Sequence, residues 1–203
     1  MDRKWIDTVI SNKLFRKSIS AGILISLGGT AYLTLLSENR VLASLMFSLA
    51  LLAICATEAN LFTGKVSKVT LSASSIISVI VILIGNYLGC SIMGNVISRI
   101  KPELIEIARE ICIKKLYEKN SELLWLAILC NVLVFFAVEA YKKGCWVVTI
   151  LAVMAFVLCG FEHSIANMFY FSVGRCNGSD VTGYILQNVI FNAIGGIAIN
   201  WLS

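Results

Sequence analysis

The sequence predicts an all-α membrane protein of six transmembrane helices, built as two inverted three-helix repeats with interrupted second and fifth helices. Three observations carry this. The first is composition: 58% of the 203 residues are hydrophobic and 14% charged, with a mean hydropathy of +0.85, whereas soluble domains run at roughly 45–50% apolar and about 25% charged. The second is that six apolar stretches, at 18–36, 41–62, 69–97, 122–141, 145–171 and 181–202, each supply the ~20 residues a helix needs to cross a bilayer. The third is an internal repeat.

The elements follow in order. Residues 1–17, MDRKWIDTVISNKLFRK, contain five basic residues and two acids, and no small-residue cleavage site follows the first apolar run, so no removable signal peptide is read there. Trp5, Ile6, Val9, Ile10 and Leu14 recur at amphipathic spacing, which predicts a helix lying on the membrane surface. Residues 18–97 form the first repeat, 98–120 a charged connection and 121–203 the second repeat, all within one channel domain. In the connection, Leu104, Ile107, Ala108 and Ile111 recur at helical spacing, so a solvated amphipathic helix accounts for most of its charges.

The repeat rests on two matches. CATEANLFTG (55–64) and CGFEHSIANMF (159–169) share C-x-x-E, with glutamates 162 − 58 = 104 positions apart. IGNYLGCSI in the third span and FNAIGGIAI in the sixth share an asparagine ahead of glycine, Asn86 and Asn192, 192 − 86 = 106 positions apart. Each copy holds three crossings, an odd number, so the copies face opposite ways in the bilayer, as in transport proteins with inverted repeats. In such folds broken helices meet near the midplane, because a non-helical backbone is tolerated there only where it is buried or lines a cavity. Polar residues cluster around both C-x-x-E segments: Asn60, Thr63 and Gly64 at the first, Gly160, Ser164 and Asn167 at the second.

Several classes are excluded. The seven cysteines form no C-x-x-C pair and indicate neither a disulfide framework nor a zinc cluster, and no nucleic-acid module is visible. A single histidine cannot build a multi-histidine metal site, and no nucleophile motif accompanies it, which argues against an intramembrane enzyme. Basic residues are almost evenly divided between the two sides; the weight of the first helix favours a cytoplasmic N terminus.

The segment GFEHSIANMF (160–169) resembles the signature of the formate/nitrite transporter family, pentameric channels for small monovalent anions. EANLFTG (58–64), AGILISLGG (21–29), ILCNVLVFFAV (128–138) and NAIGG (192–196) resemble that family's second-helix loop and its first, fourth and sixth helices. The likeness covers most of the chain from residue 21 to 201. It implies an aquaporin-like fold, a homopentamer in the inner (plasma) membrane, a pore in each subunit, no cofactor, and formate, nitrite or hydrosulfide as cargo. It carries the central histidine onto His163, the preceding acid onto Glu162, the loop threonine onto Thr63, the lysine sixteen positions before Asn131 onto Lys115, and the sixth-helix asparagine onto Asn192. The two apolar constrictions fall on Leu51 with Phe62 and on Phe47 with Phe156. Lys65 after the loop, and Asn188 and Phe191 in place of a usual proline and glycine, depart from the family's pattern.

The implied chemistry is that of a costly ion made cheap. A bare anion is penalised by several kcal/mol at the bilayer centre. Lys115 would attract anions to one mouth, the apolar rings would strip their water, and His163, a mostly neutral imidazole, would supply a hydrogen bond or proton so that a neutral acid crosses. Thr63 would donate to His163 or to the substrate. Glu162 would point away from the path and bond backbone groups freed by the break, with Asn192 as further scaffolding. Lys65 reads as a helix-end lysine reaching for head groups. A neutral-solute channel of the aquaporin kind is the alternative, although its Asn-Pro-Ala pair is absent.

Overall fold

A computed structural model of the chain describes residues 12–203. The surface helix expected over 1–17 rests on Trp5, Ile6, Val9 and Ile10, which lie outside the described residues; Leu14 falls within the first helix, α1 (Asn12–Leu35). The remaining helices are α2 (Arg40–Ala56), α3 (Phe62–Lys65), continued by a 3-10 turn (Val66–Lys68), α4 (Ala73–Ile100), α5 (Glu103–Leu116), α6 (Asn120–Lys142), α7 (Trp146–Leu158), α8 (Ser164–Val173) and α9 (Ser179–Leu202). No strand occurs among the described residues.

Among the described residues four helices, α1, α4, α6 and α9, are long and apolar enough to cross a membrane. The two other apolar helices are shorter. At 1.5 Å per residue, the 17 residues of α2 and the 13 of α7 reach about 26 and 20 Å, below the ~30 Å of hydrocarbon. Each is cut short by the same device. Ala59 N–H donates to Ile54 O with Glu58 left-handed at φ 53°, and Phe161 N–H donates to Phe156 O with Gly160 at φ 70°. These are the long-range bonds that end a helix in a Schellman turn. A few extended residues follow, and then α3 or α8 begins.

The packing exchanges these short helices. α1 lies along α4 and α2, α6 along α9 and α7, and α2 against α7. α8, which follows α7 in the chain, packs on α4 and α5, while α3 and its 3-10 turn, which follow α2, pack on α6 and α9. Helices approach closely where glycine removes the Cβ. A methyl on Gly89 would strike the carbonyl oxygen of Ile19, and one on Gly195 that of Ile128, so the α1–α4 and α6–α9 contacts are backbone against backbone, a packing favoured in membranes where small residues line the interface.

The charged connection holds the expected amphipathic helix. Leu104 and Ala108 of α5 are buried, Ile107 and Ile111 pack partly buried against the core, and Arg109 and Glu106 pair on the outer face at 2.8 Å.

Candidate functional site

Two asparagines hold the helix breaks by the same bonds. Asn86 on α4 accepts from Phe62 N–H at 2.8 Å and donates through Nδ2 to the carbonyls of Ser18 (2.7 Å) and Asn60 (2.8 Å). Asn192 on α9 accepts from Ser164 N–H at 2.9 Å and donates to the carbonyls of Ala127 and Glu162, both at 2.8 Å. The loop backbones anchor alike: Asn60 N–H to Lys17 O, and Glu162 N–H to Leu126 O. Both amides are fully buried, and each occupies peptide groups that the broken helix leaves without partners, where water is scarce. Asn192, given a scaffolding role in the sequence reading, makes three of these bonds.

These bonds correct the register of the internal match. They pair Phe62 with Ser164, and 164 − 62 = 102, so the residue matching Glu162 is Asn60, and the residue matching Glu58 is Gly160. The shared C-x-x-E is therefore not a shared site. Glu58 sits on the surface, its side chain 84% exposed and 3.2 Å from Lys17, whereas the Glu162 side chain is 2% exposed.

His163 is the N-cap of α8. Its Nδ1 accepts the backbone N–H of Ala166 at 3.1 Å, and its Nε2 lies 2.9 Å from Thr63 Oγ1, which the other break supplies. An imidazole nitrogen that accepts carries no proton, so the ring proton sits on Nε2 and is donated to Thr63, leaving the threonine hydrogen free for another acceptor. The ring is 4% exposed and stacks on Phe156, with centroids 5.8 Å apart and planes at 13°. Phe156 meets Phe47 edge to face at 6.2 Å.

A cavity opens at each of the two breaks. One, of about 100 Å³, is lined by Phe47, Lys115, Phe156, Glu162, His163 and Tyr170, among others. The second, of about 610 Å³, is lined by Leu51, Leu61 and four lysines, Lys17, Lys65, Lys68 and Lys142. Phe62, buried at the start of α3, stands beside the second cavity's lining residue Leu61. Lys65, read from sequence as a residue reaching for head groups, instead lines this basic vestibule.

Glu162 departs from expectation. Its carboxylate bonds no backbone group among the described residues; it takes Lys115 Nζ at 2.5 and 2.6 Å, Asn167 Nδ2 at 2.6 Å and Tyr184 Oη at 2.7 Å. The backbone work falls to Asn188 and Asn192, which both donate to Glu162 O. A carboxylate this deep needs a full shell of donors, and it claims Lys115, which is therefore no free attractor of anions. Three partners escaped sequence reading: Asn167 as a Glu162 ligand, Tyr184 and Asn188. For Tyr184 and Asn188 a signal was present, since they and Asn192 recur every four residues along one face of α9. Asn131 Oδ1 and Nδ2 and Ser164 Oγ are buried and have no protein hydrogen-bond partner among the described residues.

A helical membrane fold with two clamped breaks, a buried imidazole joining them and a vestibule at each belongs to the class of channels and transporters. The chain belongs to the formate/nitrite transporter family, whose profile matches residues 8–202. It is 28% identical over 222 residues to a formate-nitrite transporter of Plasmodium malariae, covering 90% of this chain and 71% of that protein. It is 29% identical over 185 residues to the formate channel FocB of Escherichia coli (strain K12), covering 77% and 64%. Among solved structures it is similar to a pentameric formate channel with formate bound, at a TM-score of 0.76 and 25% identity over 94% of this chain and 92% of that one. It also shares the fold of an FNT family ion channel, with a TM-score of 0.87 and 20% identity over 98% and 92%.

Proposed function

We propose that the chain passes small monovalent anions, formate, nitrite or hydrosulfide, through a pore in each subunit of a homopentamer in the plasma membrane, with His163 at its centre. The observation that carries this reading is that His163, which lines the smaller vestibule, is hydrogen-bonded to Thr63 of the opposite break, where the larger vestibule opens, and stacked on Phe156. Membership of a transport family and likeness to a formate channel support the cargo class. The matched asparagine clamps support two inverted three-helix repeats in a single channel domain, with α2 continued by α3 and α7 by α8 as the interrupted second and fifth crossings.

The mechanism follows from the bonds. Of the four lysines of the larger vestibule, Lys17 pairs with Glu58 while Lys68 and Lys142 share Glu139, which leaves a net positive charge that concentrates anions at one mouth; with the N terminus cytoplasmic, this is the inner mouth. Leu51 and Phe62 on that side, and Phe47 and Phe156 on the other, exclude water around the imidazole, where a neutral acid is far cheaper to hold than its anion. His163, neutral and donating through Nε2, leaves the Thr63 hydroxyl to bond the permeant, and a proton drawn from solvent neutralises the anion as it passes.

The test is pH-dependent uptake of labelled formate, nitrite and hydrosulfide into proteoliposomes, comparing the intact chain with His163→Asn. Uptake by the intact chain should rise with proton concentration, and His163→Asn should change its size and pH dependence for every permeant anion. Uptake indifferent both to external pH and to the substitution would overturn the role of His163, and failure to pass any of the three anions would overturn the cargo class.

A further inference from the structure

One hydroxyl away from Glu162, which lines the smaller vestibule, stands a second carboxyl that the mechanism above does not use. Glu118 lies in the connection between α5 and α6, half-buried, with Oε2 3.3 Å from Tyr184 Oη. The same hydroxyl stands 2.7 Å from Glu162 Oε2. A tyrosine hydroxyl has one proton to give, and it goes to the nearer oxygen, on the anion already held by Lys115. Tyr184 then turns only lone pairs toward Glu118. Two carboxylates around one phenol oxygen are satisfied together only when the outer one carries the proton and donates it inward.

The groups that face Glu118 are Lys115 on α5, Glu162 in the second break and Tyr184 on α9. With Glu118 protonated, this cluster of one lysine and one buried carboxylate is neutral; with Glu118 ionised it is net negative, beside the vestibule that Lys115 and Glu162 line. We propose that Glu118 is a proton-binding site beside this vestibule that governs anion entry there: protonated, it completes a donor chain through Tyr184 to Glu162, and ionised, it places a repelling charge beside Lys115. Burial first, and the Glu162 charge second, push its carboxyl up to about 7, which puts the switch in the neutral range. The inference rests on the proposed anion path; the proton site itself does not.

Two measurements test it. The first is the KM for formate uptake across the neutral range in the intact chain and in Glu118→Gln, which keeps a donor toward Tyr184 and cannot ionise. Taking the ratio of the two KM values at each pH removes the effect of formate's own protonation. The intact chain should match Glu118→Gln under mildly acidic conditions and show a KM about tenfold higher well above neutrality, the scale on which local charge alters ion concentration in a cleft. A ratio that stays constant across pH overturns the proposal. The second is infrared difference titration of the carboxylic C=O stretch: a band that disappears near neutrality in the intact chain and is missing from Glu118→Gln supports it, and absence of such a band from the intact chain overturns it. A protein that passes no anion yet shows the band fails the proposed function while keeping the proton site.

Discussion

Lys115 and Glu162 show how burial decides what a charged residue does. Either side chain read alone suggests a functional charge, the lysine to attract and the glutamate to repel. Lys115 Nζ touches both carboxylate oxygens, and the two side chains are 13% and 2% exposed, so they act as one neutral unit with Asn167 and Tyr184. Removing one partner strands the other in a medium that cannot solvate it. Lys115→Met should therefore cost about 3–5 kcal/mol of stability, and the pair Lys115→Met with Glu162→Gln should recover most of that loss; thermal unfolding of all three in detergent measures it. Glu118 gives a pH-dependent counterpart. Its carboxyl, raised from 4.5 to about 7, binds its proton more tightly in the folded chain than in the unfolded one. Its contribution to stability is thus fully present below about 4.5 and is lost as pH rises through about 7. Glu118→Gln should remove that part of the slope, read from melting temperatures across the interval.

At the level of elements, the decisive parts are the two breaks. A helix that ends inside a membrane exposes peptide groups with no water to take them, and Asn86 and Asn192 each satisfy two of these groups, an N–H and a carbonyl, and tie them to a third carbonyl on α1 or α6. Asn86→Ala and Asn192→Ala should each destabilise the chain by about 1–3 kcal/mol for every buried group left unpaired, and both should impair uptake even though neither asparagine lines the vestibule at either break. Melting curves set beside uptake rates check this; a variant that melts like the intact chain but transports nothing would give the asparagine a direct role instead. The asparagines were legible in the sequence as a repeated polar residue ahead of glycine. The register of the breaks was not, because C-x-x-E matched by type alone, while the hydrogen bonds that define equivalence join residues from distant helices.

For the whole molecule, the organising feature is that each short helix packs in the other half of the chain, α8 on α4 and α3 on α6. This exchange brings Thr63 to His163, a hundred positions apart, and it works only if the long helices come close enough to frame both. Gly89→Val and Gly195→Val should separate α1 from α4 and α6 from α9, each costing about 1–3 kcal/mol or more because the obstacle is backbone and cannot turn aside. Lower melting temperature with slowed uptake is expected for both, whereas Gly183→Ala on α9, where a methyl meets nothing within 4 Å, should leave both unchanged.

Composition, apolar run length and the GFEHSIANMF segment determined by themselves that this is a helical membrane protein of a transport family, because a bilayer imposes its thickness and polarity on each segment separately. The tertiary structure alone decided that Glu162 belongs to Lys115, that Glu58 is a surface residue, that Lys65 lines a basic vestibule, and that Tyr184, Asn188 and Glu118 belong to the site. Those outcomes depend on which distant side chains share a buried volume, and burial sets the energy of a charge or an unpaired amide only once its neighbours are in place.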